Sequence, residues 1–185
     1  MVHNAHVYGL DESIRGAKFP MAVDVDKLTT ELTPGIKALA QSEPGSGHDQ
    51  FLEGIIVQFD LKATNKFWIE AERYTWFRHV SSQSTMHRIA KFDLDKAYNE
   101  YVDPRMVEIM KELVSDYNEN PSAENYLKIL YSNPSGFTLT ARMTTNYRQL
   151  KTIYRQRKDH RLPEWRTLCK WFETLPQSEL ITGAE

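Results

Sequence analysis

Two period-two stretches constrain the fold more than anything else in the chain. In residues 55–61, Ile55, Val57, Phe59 and Leu61 are apolar, and Gln58 and Asp60 fall between them. After Gly136, Phe137, Leu139, Ala141 and Met143 alternate with Thr138, Thr140, Arg142 and Thr144. Successive strand side chains point to opposite faces, so each stretch reads as a strand with one face turned to a core. Around them the period shifts to that of a helix. Phe67, Ala71, Tyr74 and Phe77 form one stripe over residues 66–77. Asp103 and Pro104 supply an N-cap and first helical position for a helix whose apolar face is Met106, Ile109, Met110, Leu113 and Tyr117. By the same logic a further helix starts near Asn120-Pro121 and ends before Asn133-Pro134. Residues 144–165 predict a helix capped by Thr145 and broken at Leu162-Pro163. A last helix from about Glu164 turns Leu168, Trp171, Phe172 and Leu175 inward. Residues 41–49, with Pro44, Gly45 and Gly47, form the clearest loop. Strands and helices mix without regular βαβ alternation. The expected class is therefore α+β, a mixed or antiparallel sheet with flanking helices. At 185 residues one domain is expected, with residues 1–9 and 177–185 peripheral.

Composition excludes several functions. Cys169 is the only cysteine, which rules out an intramolecular disulfide and argues against a cysteine-based zinc site. No apolar run approaches the ~20 residues that cross a bilayer, and the N-terminus lacks the basic-then-apolar layout of a signal peptide. A cytoplasmic protein is expected, with no membrane partner. The formal net charge of −2 argues against a duplex nucleic-acid binder. Cations nonetheless collect locally: Arg148, Lys151, Arg155, Arg157, Lys158, Arg161 and Arg166 face only Asp159 and Glu164 within their own segment. A local basic site on a near-neutral chain suits a small anionic ligand.

Two readings of the basic helix stand side by side. One is a solvated face pairing with the acidic helices, where Glu108, Glu112, Asp116 and Glu119 lie. The other is a ligand site. Asn146, Leu150, Ile153 and Arg157 share one face, so Arg157 sits where the buried stripe runs out, at a cleft edge. A guanidinium desolvated on one side seeks an anion or a carbonyl. Arg148 and Arg155 lie on a different face, toward a neighbouring subunit or water. The turn Thr144-Thr145-Asn146 opens a helix N-terminus, itself favourable to anions.

The segment RHVSSQSTMHR, residues 78–88, is a second constellation. Its hydroxyls and two arginines are what a phosphate requires, namely short hydrogen bonds plus charge; the alternative is a polar loop without function. His79 and His87 lack ligand spacing, and neither HExxH nor CxxC occurs, so no metal is expected. No glycine-rich dinucleotide or P-loop fingerprint occurs either. Cys169 lies beside the inner stripe of its helix, which predicts a buried, inert thiol. Ser81, Ser82 and Ser84 have no nucleophile-elbow context.

Three segments, in order, resemble the flavin-dependent thymidylate synthases over residues 10–176. Trp76-Phe77-Arg78-His79 is similar to the start of that family's Arg-His-Arg motif, and Arg88 can close it. Gly47-His48-Asp49-Gln50-Phe51-Leu52-Glu53 resembles its Gly-His-Glu loop feeding a strand. Asn146-Tyr147-Arg148-Gln149-Leu150, ending in Arg157 and Asp159, resembles its Asn-x-Arg-x-Leu helix. The resemblance implies an α+β homotetramer that binds FAD and dUMP between subunits and passes a methylene from methylene-tetrahydrofolate to uracil C5 without a protein nucleophile. It assigns Arg157 to the pyrimidine and its developing charge, and Ser84, Thr85 and Arg88 to the nucleotide phosphate. Arg78, His79, Asn146 and His48 fall on the flavin side. Methylation of dUMP is the default, with hydroxymethylation or a cytosine substrate as variants. The alternative is a nucleotide-binding module of the same fold without chemistry. The chain departs from the pattern at Val80, where the motif has its second Arg, at Gly54, where the family has a His, and near Leu130, where it has a phosphate-binding Arg.

Overall fold

The computed structural model describes residues 1–43 and 45–183. Pro44 of the expected loop, and Ala184 and Glu185 of the expected peripheral tail, lie outside the described residues. Strands β1 (Val2–Tyr8), β2 (Ile56–Thr64), β3 (Arg78–Ser82) and β4 (Thr138–Asn146) form one antiparallel sheet in the order β1-β2-β4-β3. The helices are α1 (Leu10–Gly16), α2 (Pro34–Ala40), α3 (Asn65–Ala71), α4 (Thr85–Arg88), α5 (Leu94–Ala97), α6 (Pro104–Glu119), α7 (Ala123–Ser132), α8 (Tyr147–Arg157), α9 (Pro163–Phe172) and α10 (Glu179–Thr182). None of them, among the described residues, is long and apolar enough to cross a membrane.

The two period-two stretches become the central pair, β2 and β4, in unbroken register from Ile56↔Asn146 to Thr64↔Thr138. Val57, Phe59, Leu61, Ala141 and Met143 are buried and pack against α3, α8, α9 and α10 through Phe67, Leu150, Ile153, Trp165, Leu168, Phe172 and Leu180. On the half-buried face, Arg142 reaches Asp60 across the pair at 3.2 Å. A second, smaller core gathers Met110, Ile129, Phe137 and Ile89 beneath α6 and α7. Cys169 is 1% exposed in the main core, and burial pushes its thiol up to about 12, so it is inert as expected.

Several boundaries differ from the sequence reading, each for a local reason. The helix expected over residues 66–77 ends at Ala71, because the chain must turn to deliver residues 78–82 to the free edge of β4. Tyr74 and Phe77 stay buried in that turn. Residues 78–88 are therefore not a loop but strand β3 followed by α4. Every residue of β3 is exposed, so it carries no hydrophobic alternation to reveal it. Ser122, not Asn120, caps α7, its hydroxyl accepting from Asn125 N at 3.1 Å. Asn146, not Thr145, caps α8, its side chain accepting from Gln149 N at 2.9 Å. Thr145 lies inside the β2–β4 ladder opposite Val57, and Asn146, opposite Ile56, is its last residue, so the helix begins at Tyr147. The asparagine is thus the hinge between the sheet and the basic helix. Met106 and Ile109, read as part of the inner face of α6, are exposed; Met110, Leu113, Val114 and Tyr117 do the packing. The N-terminal residues add β1 to the sheet as its mostly exposed outer strand.

Candidate functional site

Helix α8 starts at the end of the central strand pair and is buried along Leu150, Ile153 and Arg157, as its spacing predicts. Open space flanks it. A cavity of about 420 Å³ is lined by Asp49, Glu53, Trp76, Asn146, Arg148 and Arg155, among others. A cavity of about 550 Å³ is bounded by Arg73, Tyr74, Thr75 and Arg157. Both are lined by Gln149, Thr152 and Gln156, one polar stripe of α8. A third, of about 270 Å³, shares Glu53, Trp76 and Asn146 with the first and adds Arg78. These adjacent cavities share lining residues from Asn146 to Gln156, and together they make a trough along the helix.

Arg157 is 9% exposed. Its Nε donates to the Tyr74 hydroxyl at 2.7 Å, and its Nη1 lies 2.7 Å from His160 Nε2 and 3.4 Å from Glu70 Oε2. The guanidinium carbon stands 5.0 Å from the centre of the Trp165 ring and 5.6 Å from that of Tyr74. Glu70 also accepts from Trp165 Nε1 at 3.1 Å and pairs with Lys66 at 3.1 Å. Burial raises the Glu70 carboxyl, but the hydrogen bonds from Lys66 and Trp165 outweigh it, and the group titrates below its ordinary value. Burial and then the Arg157 charge hold the His160 imidazole below its ordinary value.

The other cations of α8 follow a second stripe, Arg148, Lys151 and Arg155, which makes its bonds to the segment around residues 41–53, with Arg155 still exposed. Arg148 pairs with Asp49 at 3.1 Å and with Glu53. Lys151, 3% exposed, is bonded to Asp49 and donates to Ala40 O at 2.7 Å. Arg155 donates to Gln41 Oε1 at 3.1 Å. The acids that answer the basic helix are thus Asp49, Glu53 and Glu70. Those of the acidic helices bond locally, Glu108 and Asp95 to Lys111 and Asp103 to Arg105.

The segment 78–88 spans two places. Arg78 lies in the trough, its Nε donating to Thr75 O at 2.8 Å and its guanidinium carbon 5.1 Å from the Trp76 ring centre. His79 rests on Trp68, ring centres 4.8 Å apart, and that burial lowers its pKa. Ser84 and Arg88 line a separate cavity of about 410 Å³ with Gln83, Lys91, Phe92 and Asp93. Arg78 pairs with Thr144 and Ser82 with Ala141, so both residues lie past the end of β3 opposite to Arg78. Thr85 stands beside them, its carbonyl accepting from Tyr126 Oη at 3.4 Å. His48 is exposed and lines none of these cavities, although its neighbour Asp49 lines the first. One chain therefore brings Arg78, Asn146 and Arg157 around α8 and leaves Ser84, Thr85 and Arg88 at the far end of β3.

Trough residues that sequence reasoning missed include Arg73, Trp76, Gln149, Thr152 and Gln156, along with Glu70 and His160 that grip Arg157. The stripe 149, 152, 156 has helical spacing and was readable as a polar face; Glu70 and His160 reach Arg157 only through the tertiary fold. The departures also acquire reasons. A Cβ on Gly54 would fall 2.5 Å from Ser13 Oγ, so a side chain there requires that hydroxyl of α1 to turn aside. Val80 sits where the β3–β4 register shifts, 59% exposed. Leu130 packs on the second core.

No protein-family model and no curated protein sequence matches the chain. Solved structures do. A flavin-dependent thymidylate synthase from Helicobacter pylori, complexed with FAD and dUMP, superposes with a TM-score of 0.72 at 15% identity, covering 98% of this chain and 96% of that one. A second structure of the Helicobacter pylori enzyme with FAD and dUMP gives 0.75 at 16% identity, covering 97% of each chain. A UMP/dUMP methylase, PolB, from Streptomyces cacaoi, bound with 5-bromo-dUMP, gives 0.64 at 18% identity, covering 94% of this chain and 87% of that one. The chain has the fold of the flavin-dependent thymidylate synthases from end to end.

Proposed function

We propose that the protein binds a pyrimidine deoxynucleotide together with a flavin in the trough around α8 and transfers a one-carbon unit to C5 of the base, dUMP to dTMP being the default reaction. The observation that carries this reading is the position of Arg157. It is buried at the end of the α8 stripe, it borders a cavity, and it lies in a fold whose solved examples hold dUMP.

The donor set fits an anionic aromatic cofactor such as FAD. The adjacent cavities offer the Trp76 ring, the Asn146 amide, and Arg78 and Arg155 for charge, Arg148 being paired with Asp49 and Glu53 on the same wall. Bound there, a flavin would supply reducing equivalents, and methylene-tetrahydrofolate as co-substrate would supply the carbon. The chain's own residues then have distinct tasks. Arg157 donates to the base and stabilises negative charge that develops on it, a role favoured by preorganised donors in a site of low polarity. Tyr74, Glu70 and the Trp165 ring hold the guanidinium flat and leave it little rotamer freedom to lose on binding. Gln149, Thr152 and Gln156 offer neutral hydrogen bonds along the trough wall. Ser84, Thr85 and Arg88 take the phosphate. Because they lie far from Arg157 in one chain, this requires them to come from a second copy, which supports a homotetramer with composite sites.

The test is a visible absorption spectrum of the purified protein before and after adding FAD, followed by turnover of dUMP and dCMP with methylene-tetrahydrofolate. A flavin band with release of the methylated nucleotide is expected. Absence of flavin uptake would turn the reading toward a module that binds a nucleotide without chemistry. Val80 favours that second reading, because it presents an exposed apolar side chain where the family motif carries a cation.

A further inference from the structure

His160 is bonded in a way that no single neutral imidazole satisfies. The Leu162 N–H donates to its Nδ1 at 3.1 Å. Arg157 Nη1 lies 2.7 Å from its Nε2, and a guanidinium can only donate. Both ring nitrogens therefore stand opposite donors, whereas a neutral imidazole has one acceptor and one N–H. With the proton on Nδ1, Arg157 keeps its acceptor and the Leu162 N–H loses one. With the proton on Nε2, Leu162 is satisfied, the Arg157 donor is displaced, and the new N–H faces Glu70 Oε2, 3.7 Å away. Protonating both nitrogens displaces both donors and sets a cation against Glu70.

We propose that His160 is a positioning residue that holds the Arg157 Nη1 donor while the site is empty and releases it to the incoming nucleotide by moving its proton from Nδ1 to Nε2, where Glu70 accepts it. The inference rests on the reading of Arg157 as a base-binding group. The surroundings make the exchange feasible. His160 lines a cavity of about 590 Å³ together with Glu70, Thr64, Lys66 and Tyr101, so water can exchange its proton. The charged groups facing the ring are Arg157 from α8, Glu70 and Lys66 from α3, and Arg166 from α9, whose guanidinium donates to the His160 carbonyl at 2.6 Å. Three cations against one carboxylate oppose a charged ring in the empty site. The exchange conserves the single proton of the neutral ring, so above the imidazole range it shows as a change of tautomer and not of charge.

The experiment uses the full chain with ¹⁵N-histidine. His160→Gln and His160→Asn each identify the ring signals by their loss, and dUMP is the probe. In the protein without ligand, at a pH above the imidazole range, the Nδ1–H tautomer is expected. Saturating dUMP should convert it to Nε2–H. An Nε2–H tautomer in the empty site, or one tautomer in both states, overturns the proposal. If dUMP does not bind at all, the reading of Arg157 fails, and the tautomer of the empty site still reports separately on which donor His160 holds.

Discussion

Arg157 and Arg88 end up in opposite surroundings, although both were read from the sequence as ligand arginines. Arg157 is gripped by Tyr74, His160 and Glu70 and roofed by Trp165. The Arg88 side chain is exposed and makes no hydrogen bond or ion pair among the described residues. The contrast extends to their neighbourhoods. Around α8 every buried charge is answered, Lys151 by Asp49 and Arg157 by Glu70. Around α4, Ser84 and Thr85 offer hydroxyls to open space. Burial explains the difference. A charge removed from water must be matched within the fold, so the α8 end is preorganised by necessity; an exposed guanidinium keeps its hydration and waits for a partner. One half of the proposed site is therefore built by folding and the other half only by assembly or ligand.

The largest expected effect tests that division. Lys151→Ala takes one of two cations from the buried Asp49 carboxylate and leaves it only Arg148, and breaking a buried pair from one side costs up to about 3–5 kcal/mol. Arg88→Ala, on an unpartnered surface side chain, should stay within about 0.5 kcal/mol of the parent. Urea unfolding of the two variants measures both. Equal losses would mean that the α8 end is no more committed to the fold than α4 is.

Binding should divide the two arginines differently. Arg157→Ala is expected to weaken dUMP and deoxyuridine alike by about 1.5–3 kcal/mol, the range for a hydrogen bond from a charged group. Arg88→Ala should weaken dUMP and leave deoxyuridine unchanged. Calorimetry with both ligands separates the roles: unchanged dUMP affinity in Arg157→Ala removes the base contact, and parallel losses for both ligands in Arg88→Ala remove the phosphate contact. Mixing the two single variants sharpens the comparison further. If sites are composite, hybrid oligomers regain some sites with both arginines, and dUMP binding recovers in part; a single-chain site would show no recovery.

What the sequence made legible follows the same physical line. The central strands, the α8 stripe and the caps of α6 depend on residues close in sequence, and their periodicity survives folding. The α3–β3 boundary was not legible, because β3 exists only by pairing with the free edge of β4 and contributes no buried face of its own. The same holds for the grip on Arg157. Glu70 and His160 lie on different elements, and nothing in the spacing of residues 146–157 says that a carboxylate from α3 will meet them. Asp49 was legible as a motif position but not as the buried counter-charge of both Arg148 and Lys151.

The smallest effect concerns two histidines, His79 on β3 beside Arg78 and His160 beside Arg157. His79 and His160 both titrate below their ordinary value in the folded chain. The unfolded chain then binds protons that the folded chain refuses, so stability declines as pH falls through the ordinary histidine range of about 6.5 toward the lowered folded value. The causes differ. At His79 burial against Trp68 leads, with only Glu72 acting in the opposite sense. At His160 burial is joined by repulsion from Arg157, Arg166 and Lys66, set against Glu70. Added salt screens charges near the surface and leaves desolvation untouched. Thermal midpoints measured from pH 8 to pH 5 at low and high salt should therefore separate the two. His79→Asn should remove a part of the acid-side decline that is the same at both ionic strengths. His160→Asn should remove a part that shrinks as salt is added. Identical salt responses would mean that the Arg157 charge does not reach the His160 ring, and with it would go the electrostatic distinction between the two histidines.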